Sequence, residues 1–170
     1  MNSDFYPDLI PGNFYHIYNR ANGNEKLFFQ ERNYDYFLQR YSYYLSDYLE
    51  TYAYSLLQNH FHLLVKVKGE EAILAAVRND ISPGNNSDNE IVNAAARNPI
   101  SSRNRISERG PSEILIEQFR KLFISYSKAI NVQETRTGSL FQKKFKRKLI
   151  DNPNYFKHVI YYIHHQPSER

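Results

Sequence analysis

Two histidines two positions apart have the clearest capacity for chemistry in this chain. They are His60 and His62, within Gln58-Asn59-His60-Phe61-His62-Leu63-Leu64-Val65-Lys66-Val67. In an extended strand, residues i and i+2 point to the same side. Both imidazoles therefore share one face, while Phe61, Leu63, Val65 and Val67 share the other. The strand rise sets their Cα atoms about 6.6 Å apart, close enough for both rings to converge on one divalent ion. A lone His-x-His is weak evidence of a metal site, because most such pairs are ordinary surface or core residues. The chain has no cysteine, so neither a disulfide framework nor a thiolate site is available, and any metal must be held by His, Asn, Gln, Asp, Glu and water.

A second stretch carries charge. Six cations and no acid fall between Arg136 and Lys148. Arg136, Lys143, Lys144, Lys146, Arg147 and Lys148 read equally as a phosphate-binding surface or as an edge strand guarded by lysines. Alternation about Phe145, Arg147 and Leu149 predicts a strand there. Arg20, in Asn19-Arg20-Ala21-Asn22-Gly23, adds a cation at the end of the first strand, where a solvated loop is an equal reading. The last helix is predicted to start with Asn152 as N-cap and Pro153 at its first position. Along it Tyr155, Val159, Tyr162 and Gln166 share one face, with Phe156, Ile160 and Ile163 as the neighbouring apolar stripe. Tyr162 and Gln166 lie one turn apart and point the same way. Taken singly, Tyr162 reads as a packing tyrosine.

The elements that must position these residues follow from periodicity. Residues 14–19 read as a strand, and residues 31–48 as an amphipathic helix with a stripe of Tyr34, Phe37, Leu38, Tyr41, Tyr44, Leu45 and Tyr48. Residues 51–57 form a second strand, linked to the histidine strand by a tight turn at Gln58-Asn59. Residues 69–110 are rich in Asn, Ser, Arg, Glu and Gly and read as a long, partly mobile insertion. Short helices are possible at 72–77 and 91–96, and Arg97, Arg103, Arg105 and Arg109 read as solvated loop by default, with nucleic-acid contact as the alternative. Order returns with Ser112 as N-cap of a helix faced by Leu115, Phe119, Leu122, Phe123, Tyr126 and Ile130.

The order strand, helix, strand, strand, helix, strand, helix predicts an α+β fold in one domain spanning residues 1–170. It is a ferredoxin-like (RRM-like) antiparallel sheet of about four strands with helices mainly on one face. In that layout the histidine strand can be central, and the terminal helix can bring a side chain over it. Two imidazoles with the amide oxygen of Gln166 leave positions for phosphate oxygens and water, a set suited to Mg²⁺ or Mn²⁺ more than to a closed zinc site.

Composition agrees with such a partner. The chain has 170 residues, a net charge of +4 and a pI of about 9.1, which suits a polyanion. No run approaches about 18 apolar residues, and Met1-Asn2-Ser3-Asp4 lacks a basic n-region, so a soluble protein of a reducing cytoplasm is expected, with no membrane partner. Tyr and Phe are abundant at 15 and 11 copies and Trp is absent, an excess that serves either base stacking or core packing.

With these residues in place, the chain resembles the HUH-class single-strand DNA transposases with one catalytic tyrosine, the REP-associated tyrosine transposases and their insertion-sequence relatives. The resemblance runs from about Gly12 to Pro167, apart from 69–110. It rests on Tyr15-His16-Ile17-Tyr18-Asn19-Arg20, Leu57-Gln58-Asn59-His60-Phe61-His62-Leu63-Leu64-Val65, Arg136-Thr137-Gly138-Ser139-Leu140-Phe141-Gln142 and Tyr162-Ile163-His164-His165-Gln166-Pro167. It implies that His60 and His62 are the HUH pair, Gln166 the third ligand of an Mg²⁺ or Mn²⁺ ion, and Tyr162 the nucleophile that forms a 5′-phosphotyrosine link. It also implies single-stranded or hairpin DNA as partner, a homodimer with the tyrosine helix serving either subunit, and a bacterial, nucleoid-associated location when on DNA. Gln58 stands where many relatives have Pro, and the chain stops at Arg170 where relatives often run on. Tyr126 is the rival nucleophile but has Ile130, not an amide, one turn on. The alternative class is a non-catalytic RRM-like module that binds single-stranded nucleic acid. A further alternative is a relative that rejoins its host's own repeats without mobilising an element.

Overall fold

The computed structural model describes residues 6–81 and 109–165. Strands β1 (Phe14–Arg20), β2 (Leu49–Leu57), β3 (His60–Val67) and β4 (Lys146–Ile150) make one antiparallel sheet in the order β2-β3-β1-β4. Helices α1 (Glu31–Leu45), α2 (Glu70–Ile81), α3 (Pro111–Gln133) and α4 (Pro153–His165) connect or follow them. This is the expected α+β, ferredoxin-like arrangement. Two strand-helix-strand units interleave, so β1 and β3 become the central strands.

Alternation along each central strand divides the molecule into two layers. Tyr15 and Ile17 of β1 and Phe61, Leu63, Val65 and Val67 of β3 are buried in a core with Phe37 and Tyr41 of α1 and Leu115, Phe119, Leu122 and Tyr126 of α3. The opposite face carries a smaller cluster. Ala53, Leu64 and Ile150 are sealed by Val159 and Ile163 of α4, with Phe14, Tyr155, Phe156 and Ile160 around them. Phe14 meets Tyr52 and Phe156 edge-on, at centroid separations of 5.1 and 5.2 Å. The Asn152 side chain accepts from the Tyr155 backbone N–H at 2.8 Å, and Pro153 opens α4, as their spacing predicts.

Three local expectations are revised. Helix α1 ends at Leu45, and Tyr48 belongs to the turn that follows; its ring is buried and its hydroxyl accepts from Gln118 Nε2 at 3.2 Å. Gly110, not Ser112, caps α3, with Pro111 at the first position. The Ser112 hydroxyl instead accepts from the Leu9 backbone N–H at 2.9 Å and donates to Asp8 Oδ1 at 3.2 Å, tying down the lead-in segment. The start of the 69–110 stretch is a 12-residue helix, α2, whose Ile73, Ala76 and Val77 join the main core at helical spacing. The short helix expected at 91–96, and Arg97, Arg103 and Arg105, lie outside the described residues.

Because α4 rests on a small apolar cluster, it should open separately from the main core. Ile163→Ala is expected to weaken its docking by about 2–4 kcal/mol. Hydrogen exchange should then rise in α4 amides while α1 and α3 stay protected. Equal loss of protection in all three helices would show that the two layers unfold as one unit.

Candidate functional site

Position 62 lies mid-strand in β3, opposite Tyr18 of β1 and Ser55 of β2. Its ring is therefore surrounded. It stacks on His16 and Tyr18 at 5.1 and 5.5 Å, and meets His60 and Tyr162 edge-on at 5.0 and 5.1 Å. Nδ1 of His62 and Nε2 of His16 share a hydrogen bond of 2.9 Å. Nε2 of His62 is buried with no partner among the described residues, as is Oγ of Ser55. Next along the strand, Nδ1 of His60 donates to Asn59 Oδ1 at 2.6 Å, which puts that ring's lone pair on Nε2.

His60, His62 and Tyr162 line one pocket of about 260 Å³ together with Tyr18, Arg20 and Lys146. Tyr162 reaches it from α4, where it is 36% exposed, while Val159 and Ile163 are buried beneath it. Tyr126 is not among the residues that line this pocket. It is fully buried, its hydroxyl donates to the Leu27 carbonyl at 2.8 Å, and burial pushes its phenol far above the usual tyrosine range. Burial also pushes the Tyr18 phenol up, with Tyr6 and Tyr162 adding to the shift.

Two of the sequence motifs meet at this pocket through backbone pairing. The Gln142 N–H donates to the Arg20 carbonyl at 2.9 Å, the Asn22 N–H to that of Leu140 at 3.0 Å, and Asn22 Nδ2 to that of Ser139 at 2.9 Å. The Arg136–Gln142 segment is thus laid along the extension of β1. The Gln58 carbonyl accepts from the backbone N–H groups of Leu27 and Phe28. A proline at this position would offer the same carbonyl acceptor.

The predicted cations separate into two groups. Arg20 and Lys146 line the pocket. Lys148 shares their face, its ammonium 4.4 Å from the Tyr155 ring centroid, and Lys143 and Lys144 are exposed on an adjoining groove. Arg147 points into the other layer. It is 9% exposed, and its Nε donates to the Pro7 carbonyl at 2.5 Å. Arg136 pairs with Glu25 and donates to Asn131 Oδ1 at 2.6 Å, so its guanidinium braces a loop. Gln166 lies outside the described residues, and among those residues no three His, Cys, Asp or Glu side chains form a metal-holding group. His16 was missed because a single histidine in an aromatic strand carries no spacing signal. The alternation of β1 does, however, place it on the same face as Tyr18 and Arg20.

Burial, then Lys148 and His158, lowers His16 to about 4; burial, then His16 and His60, lowers His62 to about 3. Both rings are neutral at pH 7, the form in which an imidazole offers a lone pair to a cation.

No protein-family model matches the chain, and no curated protein matches it significantly in sequence. Among solved structures, the chain is similar to a REP-associated tyrosine transposase bound to a REP hairpin. The TM-score is 0.60 at 13% identity, over 98% of this chain and 73% of that one. At that identity the likeness is one of fold. No helix among the described residues is long and apolar enough to cross a membrane.

The histidine shifts predict an acid-sensitive fold. Unfolded histidines protonate near pH 6.5, whereas these two resist protonation until about 4 and about 3, so the unfolded state binds more protons as pH falls. In the metal-free protein, stability should be full above pH 6.5 and decline toward pH 4 by roughly 3 kcal/mol for each of the two rings. Urea midpoints in EDTA measure this, and His16→Asn should flatten the slope; an unchanged slope would remove His16 as its source.

Proposed function

We propose that the chain is a metal-dependent single-strand DNA endonuclease and strand transferase, a transposase-type enzyme working as one catalytic domain. It would cleave and rejoin DNA next to hairpin or repeat sequences through a 5′-phosphotyrosine link. The observation that carries this reading is the Tyr162 ring set 5.1 Å from His62 in a pocket that also holds His60, Arg20 and Lys146. The fold it shares with a hairpin-bound transposase supports DNA as the partner.

His60 and His62 would hold Mg²⁺ or Mn²⁺, with the Gln166 amide as third donor. The buried, unpartnered Nε2 of His62 fits that role, since an imidazole engaged at Nδ1 binds a cation through its other nitrogen. When bound, the ion supplies Lewis-acid withdrawal of charge from the phosphate. His16 acts as a positioning residue. With His62 Nδ1–H donating to His16 Nε2, the lone pair of His62 rests on Nε2; Asn59 holds His60 in the same tautomer. Arg20 and Lys146 attract the phosphate into the pocket, and Lys143, Lys144 and Lys148 hold the flanking backbone.

Tyr162 Oη bonds to phosphorus as the bond from phosphorus to the 3′ oxygen breaks. The 5′ phosphate is left on the tyrosine. The phenol loses a proton and the departing 3′ oxygen gains one, so the step is proton-neutral overall. Reversal by a 3′-hydroxyl of another strand rejoins the DNA, because a phenolate leaves more readily than an alkoxide. Tyr162 and His62 of one chain adjoin, which supports cleavage within a single subunit of the proposed homodimer. The RRM-like binding module is disfavoured by α4, whose Val159 and Ile163 cover much of the sheet face such a module would use for base stacking.

Incubation with hairpin DNA bearing an unpaired flank, in Mn²⁺, should give an SDS-resistant protein–DNA band. The band should vanish in Tyr162→Phe and persist in Tyr126→Phe. His60→Ala and His62→Ala should abolish it while sparing most DNA binding. Reversible gel shifts with no Tyr162-dependent band would favour the binding module. For positioning, His16→Asn should weaken Mn²⁺ binding by calorimetry ~10-fold or more while leaving DNA affinity unchanged; wild-type Mn²⁺ affinity would dismiss the His16 role.

A further inference from the structure

Beside the pocket lies a larger groove of about 700 Å³, between α3 and the segment that runs into β4. Its apolar lining includes Ile116, Phe123 and Ile124 of α3, backed by Phe141 and Phe145. Phe123 packs on Phe141 at 4.6 Å and Phe145 at 5.8 Å, so the aromatic side of the groove is formed by rings in mutual contact. Around it stand Arg120, Lys128, Lys143 and Lys144, with the inward-turned Arg147, and among the described residues no Asp or Glu lines it. Arg120 pairs with Glu117 on its own helix, while Lys128, Lys143 and Lys144 are exposed. Gln142 lines both this groove and the Tyr162 pocket.

An apolar, aromatic-backed surface ringed by cations matches a polyanion that also presents flat apolar faces. Unpaired nucleic acid has that chemistry: phosphates for the lysines and bases for the aromatic surface. An acidic peptide satisfies the charges but not the aromatic surface. Continuity through Gln142 gives the occupant a direction, since a strand leaving the pocket over this residue enters the groove. We infer that the groove holds the unpaired bases of the single strand flanking the phosphate engaged at Tyr162. This rests on the reading of that pocket as a DNA phosphate site.

The test is fluorescence anisotropy of the full chain with a labelled oligothymidylate of about eight nucleotides. Ile124→Glu and Lys128→Glu, each with wild-type circular dichroism, should weaken binding ~10-fold or more, while Ile124→Trp keeps or tightens it. An abasic oligomer should bind the wild type ~10-fold more weakly and be insensitive to Ile124→Ala, which adds no charge, because the bases are what Ile124 contacts. Wild-type affinity in both glutamate variants would overturn the proposal. So would a loss of dimer by sedimentation in Ile124→Glu with oligomer binding intact, which would assign the groove to a second copy of the chain. Oligomer binding that depends on the groove without any Tyr162-linked band would sink the cleavage reading and leave the groove standing. A Tyr162-linked band with groove-independent oligomer binding would do the reverse.

Discussion

Val159 and Ile163 of α4, sealed against Ala53, Leu64 and Ile150, hold a helix over the second face of the sheet, and that contact sets the environment of the groups beneath it. The same docking that presents Tyr162 at the pocket edge also helps to exclude water from His16 and His62. Desolvation disfavours charged imidazoles, so both rings stay neutral at pH 7, and the hydrogen bond between them has to be carried by one shared proton. A buried pair of this kind is a local cost to stability. The main core, with α1 and α3 packed on the other face, absorbs it, and the smaller layer can be shaped by the chemistry beneath it.

Strand β4 shows how one basic run serves both layers. Period-two alternation sends Lys146 and Lys148 toward the histidine face and Arg147 toward α3, where its guanidinium binds the carbonyls of the lead-in segment. Arg suits that inward position because its planar head can donate to two carbonyls from a buried site. The two lysines stay on the histidine face, their ammonium groups over the Tyr18 and Tyr155 rings at 5.8 and 4.4 Å. Density of charge in the sequence therefore overstates the charge presented at the site.

The strands, the main helices and the shared face of His60 and His62 were legible because period-two and helical spacing are local properties of the chain. So was the pairing of Asn152 with the start of α4. Three things depended on tertiary contacts and were not. Ser112 has the chemistry of an N-cap, yet its hydroxyl is claimed by Asp8 and Leu9 more than a hundred residues away. Arg136 and Arg147 look like phosphate ligands until Glu25 and the Pro7 carbonyl are beside them. His16 becomes part of the site only when the β1–β3 register sets it diagonal to His62. Tyr126 and Tyr162 differ in the same way, since both sit on helices and only packing separates the sealed phenol from the reachable one.

The Arg136–Gln142 segment joins the small pocket to the larger groove, since Gln142 lines both. Gly138 adopts φ +89°, a conformation that favours glycine, and so turns the chain back along the extension of β1. From there it is held mainly by backbone hydrogen bonds to Arg20 and Asn22, with Asn131 donating to the Gly138 carbonyl at 3.0 Å. Long flexible side chains would leave the separation of the two surfaces variable. Backbone pairing to a central strand fixes it, because a shift of Gln142 would break the ladder that also aligns Arg20 with His60. The spacing between a gripped phosphate and the bases beside it would then be a property of sheet register, which is a more exact ruler than any single lysine.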